Sequence, residues 1–249
     1  MIHERRRLIP TMIAVIIGVA FVASTLMLMD SIKAFTLRTQ AAAVGDAAAV
    51  VTAKESSKPI SLATAKKVAK VPGVTSVEQT REVFLQRTDN GQAAFVNGHL
   101  VPAHPNLIKG RAPTKPNEVA VNQSTADNNA GIGSKITVHD PSRDGAKSIT
   151  LTVVGVLSPG ARTTATPTSP EIYLMDASLA SISGQSGASI LYVNSDRRAT
   201  QVVQDVSKAV GTTVTVRTAN DERAHQADQA SHGFAAITTF MGALSLIHI

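Results

Sequence analysis

Three stretches of the sequence carry side chains of the kinds that do chemistry. Gly131-Ile132-Gly133-Ser134-Lys135-Ile136-Thr137 has the glycines and lysine of a phosphate-binding loop. Such a loop needs Gly directly before Lys, Ser or Thr directly after it, and a helix whose first N–H groups meet the phosphates. Here Ser134 precedes Lys135, Ile136 follows it, and an alternating strand pattern comes next, so the stretch reads as a turn before a strand. His99 and His104, on either side of Pro102, are of a type that can share a metal ion. They lack the helical i, i+4 spacing, no carboxylate lies near them in sequence, and the chain has no Cys, so they read as surface histidines. His225 and His232 stand two turns apart on a polar helix. They are placed for a pH-sensitive contact, but a solvated helix face is the simpler reading. There is no G-x-S-x-G elbow, and nothing singles out one of the many Ser and Thr residues as a nucleophile. No catalytic, metal or cofactor-binding residue is therefore assigned, and the chain is not expected to be an enzyme.

Composition narrows the class further. The 249 residues are 43% hydrophobic, yet aromatics make up only 3% and there is no Trp. The core must be built from Val, Ile, Leu and Ala, and an aromatic platform for stacking bases is not expected. The net charge of +6 is scattered, apart from Arg5-Arg6-Arg7 and Lys66-Lys67, so nucleic acid is not an expected partner. Without cysteine, disulfides and thiolate sites are excluded.

The elements that would position any site begin with Leu8–Met29, LIPTMIAVIIGVAFVASTLMLM, a run of 22 residues without a charge. At helical rise that is enough to cross the hydrocarbon core of a bilayer. The run is longer than the apolar region of a signal peptide and ends without a small-x-small cleavage site; a core helix would show charge on its exposed positions. An uncleaved transmembrane helix is the reading. Arg5–Arg7 before it and Asp30 after it place residues 1–7 in the cytoplasm and the rest outside. Ala14, Gly18 and Thr25 fall within about 40° on a helical wheel, either a face for close approach of another membrane helix or the ordinary small-residue content of a span.

Beyond it, Ser31–Gln40 continues the helix as a stalk and Asp46–Thr52 reads as a strand. Ser61 caps a helix to about Val71, with Leu62, Ala65, Val68 and Ala69 on one face. Pro72-Gly73 stops it. Val74–Arg81 and Glu82–Arg87 read as strands, and Asp89-Asn90-Gly91 as a hairpin turn into a strand around Ala94–Asn97. A second strand-helix-strand unit follows late in the chain: Ser189–Asn194, a helix marked by Ala199, Val202, Val203, Val206 and Val210, and Thr212–Arg217. Two such units make one split βαβ layer. Between them, residues 97–175 are rich in Gly, Pro, Thr and short strands (Glu118–Val121, Lys135–His139, Ser148–Leu157), with a Thr/Pro-rich loop at Gly160–Pro170. They read as an inserted β-rich lobe. Asp176 is expected to cap a short helix to Ser183. From Asp221 the chain is helical again and enters Phe234–Ile249, an apolar run of 16 residues without a polar flank, which reads as a second span cut short.

The layout resembles the N-terminal part of FtsX-like/MacB-like ABC transporter permeases of the actinobacterial type. The span with its basic flank (Arg5–Ile32), Leu107-Ile108-Lys109-Gly110-Arg111-Ala112-Pro113, Asn117-Glu118-Val119-Ala120-Val121-Asn122, Gly131–Ile136 and Leu151-Thr152-Val153-Val154-Gly155-Val156 carry the resemblance. Ser134 departs from it where Asp is common. The resemblance implies an α+β fold: a transmembrane helix (8–29), an extracytoplasmic core domain (30–233) consisting of an α/β, split βαβ-like lobe with the β-rich lobe inserted at about 97–175, and the start of a second transmembrane helix (234–249). It also implies a permease subunit in the cell membrane. Such a subunit couples ATP hydrolysis by a cytoplasmic ABC ATPase partner to export or extraction of a substrate, beside a second permease copy or paralogue and without a cofactor of its own. The alternative is a membrane-anchored extracytoplasmic sensor or regulator of a partner such as a cell-wall hydrolase. An anchored enzyme is the third, least supported reading.

Overall fold

Short β-branched runs broken by Gly and Pro favour strands, and much of the stretch from Ala49 to Thr218 is written that way. The computed structural model describes residues 2–55, 58–89, 92–143, 145, 147–158 and 169–230. The chain divides into two units, Met1–Ala41 with Arg223–Ile249, and Ala42–Glu222. The elements are α1 (Ile2–Val44), β1 (Ala49–Ala53), α2 (Leu62–Ala69), β2 (Val74–Thr80), β3 (Glu82–Asp89), β4 (Gln92–Leu100), β5 (Leu107–Gly110) and β6 (Glu118–Asn122). They continue with α3 (Gln123–Asp127), β7 (Lys135–His139), β8 (Ile149–Leu157), β9 (Glu171–Leu174), α4 (Asp176–Ser183), β10 (Ile190–Ser195), α5 (Ala199–Val210) and β11 (Val214–Thr218). Residues 219–230 are helical.

Among the described residues no helix is long and apolar enough to cross a membrane. The span expected at Leu8–Met29 falls on α1, where the side chains of residues 1–11 and several up to Val22 lie outside the described residues. The second span expected at 234–249 lies wholly outside them, as do most of the Thr/Pro-rich loop and Asn90-Gly91.

Four strands form an antiparallel sheet in the order β11-β1-β10-β2. β10 lies between β1 and β2, and β1 between β10 and β11, so β1-α2-β2 and β10-α5-β11 are two interlocked split βαβ units. Alternation along the strands sorts the faces. Ala49, Val51, Leu191 and Val193 meet Ala65 and Val68 of α2 and Val202 and Val206 of α5. On the other face, Val50 and Tyr192 pack with Val44, Ala47 and Ala219. Ser61 caps α2 as expected, accepting a hydrogen bond from the Thr64 N–H at 3.1 Å. The buried stripe of α2 is narrower than expected, however: Ala65 and Val68 are buried, while Leu62 and Ala69 are exposed. An eight-residue helix has room for only about two turns of contact.

The other seven strands run β5-β8-β6-β9-β4-β3-β7, and β7 also pairs with β8. The ladder therefore closes on itself, which removes the edges of six strands and leaves β5 appended to β8. Val119, Val121, Ile136, Val138, Leu151, Val153, Ile172 and Leu174 fill the interior, with Leu179 and Ile182 of α4. This sheet begins at Glu82, ahead of residue 97 where the β-rich lobe was expected to start, because β3 pairs along its whole length with β4. Asp176 does not cap α4, whose N-cap is Met175; its carboxylate instead accepts from Ser186 Oγ at 2.6 Å and Gly187 N–H at 2.9 Å.

The junction of β5, β6 and β8 is built from the blocks that carried the resemblance. Arg111 grips Glu118 with two parallel bonds, 2.8 and 2.5 Å long, and the Thr114 and Lys115 N–H groups complete the carboxylate's shell. The hydrogen bonds from Arg111, then from Thr114, hold the Glu118 carboxyl well below the usual carboxylate range. A side chain on Gly155 would run into the Arg111 carbonyl oxygen, and one on Gly110, at φ +77°, into that of Val154. These glycines let two backbones cross at contact distance.

Gly155→Ala is accordingly expected to destabilise the domain by at least about 2 kcal/mol through backbone displacement. Gly131→Ala, with nothing within 4 Å of the new methyl group, should stay within about 0.5 kcal/mol of the parent. Urea unfolding followed by circular dichroism checks the pair; equal stability of the two variants would refute the crossing argument.

Candidate functional site

Strand register places four polar side chains on the outer face of the closed sheet. Glu82 lies opposite His99 across β3–β4, and His99 lies opposite Tyr173 across the parallel β4–β9 pair. Glu171, two residues before Tyr173 on β9, shares that face. The Tyr173 hydroxyl donates a hydrogen bond to Glu171 Oε2. His99 Nε2 stands 3.8 Å from Glu171 Oε1, and the two rings, His99 and Tyr173, have centroids 5.7 Å apart. Glu171 is fully buried and the His99 side chain is 9% exposed. Among the described residues neither His99 Nε2 nor Glu171 Oε1 has a hydrogen-bond partner.

Burial sets the protonation of this group. It pushes the His99 imidazole down to about 4, so the ring is neutral at pH 7. It pushes the Glu171 carboxyl up, against the Tyr173 hydrogen bond that favours the anion, with Glu82 adding to the rise. The Tyr173 phenol is pushed up as well, by burial first and by its bond to Glu171 second.

His99 and Tyr173 line a cleft of about 740 Å³ in the unit Ala42–Glu222. Its other walls come from Ala42–Asp46, the end of β2, the segment after β4 and the end of β10. Arg81, between β2 and β3, is buried beside it. Its guanidinium donates to Gln185 O at 2.7 Å and to Ser183 Oγ, and lies 3.8 Å from Asp176.

His99 is thus not the surface histidine the sequence led us to expect. It is buried, and a carboxylate faces it, because β4 and β9 pair across most of the inserted segment. His104 is exposed and lines the same cleft. The Gly131–Lys135 stretch is a turn into β7: Gly133 has φ +91°, and Ser134 Oγ donates to Gly131 O. His225 Nε2 lies 3.0 Å from the side-chain nitrogen of Gln229 one turn on, and His232 is outside the described residues. Among the described residues no three metal-ligating side chains converge. Glu171 and Tyr173 escaped the sequence reading, although a glutamate opening the apolar run Ile172-Tyr173-Leu174 is a usable signal of a buried carboxylate.

With this architecture, the profile of the MacB-like periplasmic core domain family matches residues 9–231. The chain belongs to that family. Two solved structures share the fold of this MacB-like domain. The extracellular domain of the noncanonic ABC-type transporter YknZ from Gram-positive bacteria is 12% identical, with a TM-score of 0.52 over 68% of this chain and 98% of that one. The periplasmic region of MacB from Actinobacillus actinomycetemcomitans is 14% identical, with a TM-score of 0.51 over 71% of this chain and 91% of that one. No curated protein sequence gives a significant match.

The buried imidazole gives the MacB-like domain a pH signature. The unfolded histidine takes its proton near pH 6.5 and the folded one near 4. The contribution of His99 is therefore complete above about pH 6.5 and declines by up to about 3 kcal/mol as pH falls toward 4. Glu171, with its raised pKa, acts in the opposite sense, weakening the fold as pH rises through the carboxylate range. His99→Gln removes only the first effect. Unfolding measured from pH 7 to 4 should show a shallower acid decline in that variant than in the parent; identical profiles would contradict the buried neutral ring.

Proposed function

We propose that this chain is the N-terminal part of the permease subunit of an ABC transporter. In this reading residues 1–7 are cytoplasmic, 8–29 cross the membrane, 30–233 form the extracytoplasmic core, and 234–249 begin a second span. A partner ATPase in the cytoplasm supplies the hydrolysis that drives export or extraction of a substrate on the outer side. The observation that carries the proposal is the family match across nearly the whole chain, together with α1. On that helix Met12, Ile16, Val19, Leu26, Met27 and Leu28 are exposed, which suits lipid and not water. Ser24 returns its hydroxyl to Ala20 O at 2.8 Å, so it presents no unsatisfied donor to hydrocarbon.

The absence of native cysteine makes a direct test practical. Glu4→Cys and Lys109→Cys variants are exposed to a membrane-impermeant maleimide. In intact cells Lys109→Cys should label and Glu4→Cys should label only after lysis; equal labelling of both refutes the topology. The full-length permease should then retain its ABC ATPase on affinity purification. Correct labelling with no retained ATPase would favour the anchored regulator instead.

A further inference from the structure

Two buried side-chain atoms that lack a hydrogen bond among the described residues face one another: His99 Nε2 and Glu171 Oε1, 3.8 Å apart. Buried donors and acceptors are paired in folded proteins, so two orphans side by side call for one explanation. The other carboxyl oxygen of Glu171, Oε2, already accepts the Tyr173 hydroxyl. A carboxylate oxygen and the bare nitrogen of a neutral imidazole are both acceptors and repel. One proton between them makes a donor and an acceptor of the same two atoms. The parallel register sets Asn97 beside Glu171 and His99 beside Tyr173, so His99 and Glu171 are diagonal neighbours across β4 and β9. Bringing them to hydrogen-bond length takes a side-chain movement of about 1 Å and no change of backbone.

We propose that Glu171 and His99 hold one proton between them at neutral pH, carried on Glu171 Oε1 and donated to His99 Nε2, and that this proton latches the cleft wall. The ring's own proton then sits on Nδ1. The surrounding charges favour keeping the shared proton. Glu82 lies opposite His99 across β3–β4, and Asp46, Glu78 and Asp196 line the cleft that His99 borders, with the exposed His104. Arg81, on the same wall, is directed to Ser183, Gln185 and Asp176. Burial resists a charge on either member, lowering His99 and raising Glu171. Loss of the proton leaves two acceptors in contact, and a second proton puts a cation where burial opposes charge. Either change drives the ring from Glu171, and His99 is the member of the pair that lines the cleft. The wall is thus sensitive to protons on both sides of neutrality. The inference goes beyond the permease reading and does not depend on it.

The test uses the whole chain in neutral detergent, with isotope-labelled glutamate carboxyls and histidine rings followed by NMR. The Glu171 and His99 signals are assigned by their loss in Glu171→Gln and His99→Gln. At pH 7.5 the Glu171 carboxyl should resonate as a neutral acid and His99 as the tautomer protonated on Nδ1. Glu171→Gln should keep that tautomer, because its amide donates the same bond, and Glu171→Ala should release it. An unfolded glutamate is ionised at this pH. Between pH 7 and 8 the unfolding constant of the parent, relative to that of Glu171→Gln, should therefore rise about tenfold, the mark of one proton held only by the folded chain. An ionised Glu171 at pH 7.5, a His99 ring protonated on Nε2, or equal pH dependence of parent and Glu171→Gln overturns the proposal. The parent signals and Glu171→Gln remain decisive if Glu171→Ala does not fold.

Discussion

The architecture of the unit Ala42–Glu222 depends on how one chain is shared between two sheets. The chain leaves the four-stranded sheet after β2 and returns to it before β10, and both passages lie within reach of Arg81. From the first passage its guanidinium bonds to Ser183 and Gln185 in the second, while Asp176 at the start of α4 holds Ser186 and Gly187. Burial pulls the Arg81 pKa down and Asp176 pulls it back, yet the group stays charged across the biological range. A buried arginine bound to carbonyl and hydroxyl oxygens is costly to leave half-satisfied, so the two passages are fixed together or not at all. Gly187, at φ +114°, adds a backbone contact against Ile60 in the same region.

That constraint gives the cleft its position. Its walls are the residues on either side of the passages: the end of β2 and Arg81 from one sheet, His99 and Tyr173 from the other, and Asn194–Asp196 from the end of β10. Polar residues collect there because strand ends and connections cannot satisfy their backbone groups as strand interiors do. The Arg111–Glu118 pair does comparable work elsewhere, holding the loop between β5 and β6 where Gly110 and Gly155 permit the backbones to touch.

Local pattern made much of this legible in the sequence. The helix of α5 follows from Val202 and Val206 one turn apart; α2 follows from Ser61 and its Pro-Gly stop; β7 and β8 follow from alternation ending in turns. Long-range pairing was not legible. β5 is exposed at all four positions and β9 is buried at all four, so neither alternates, and the period-2 signal is silent for both. The same gap hid the candidate site. His99 acquires its carboxylate from Glu171 through a parallel pairing that no local window contains, and Asp176 looked like a cap because its alternative partners lie beyond the helix it begins.

A polar cluster of this kind needs a reason to persist. Replacing His99, Glu171 and Tyr173 by apolar residues would remove two unpartnered polar atoms and a buried carboxyl group, each of which costs the fold free energy. Tyr173 already packs with Ala120 and Leu157, so an all-apolar surface could be continued across β4 and β9 without changing the backbone. The cluster is therefore not what holds the closed sheet together, whose interior is filled by aliphatic side chains on the opposite face. Its cost falls on the one stretch of that outer face that opens into the cleft. That cost sets this stretch apart from other buried polar groups on and beside the same sheet, such as Glu118, Asn122 and Thr125, whose side chains are hydrogen-bonded.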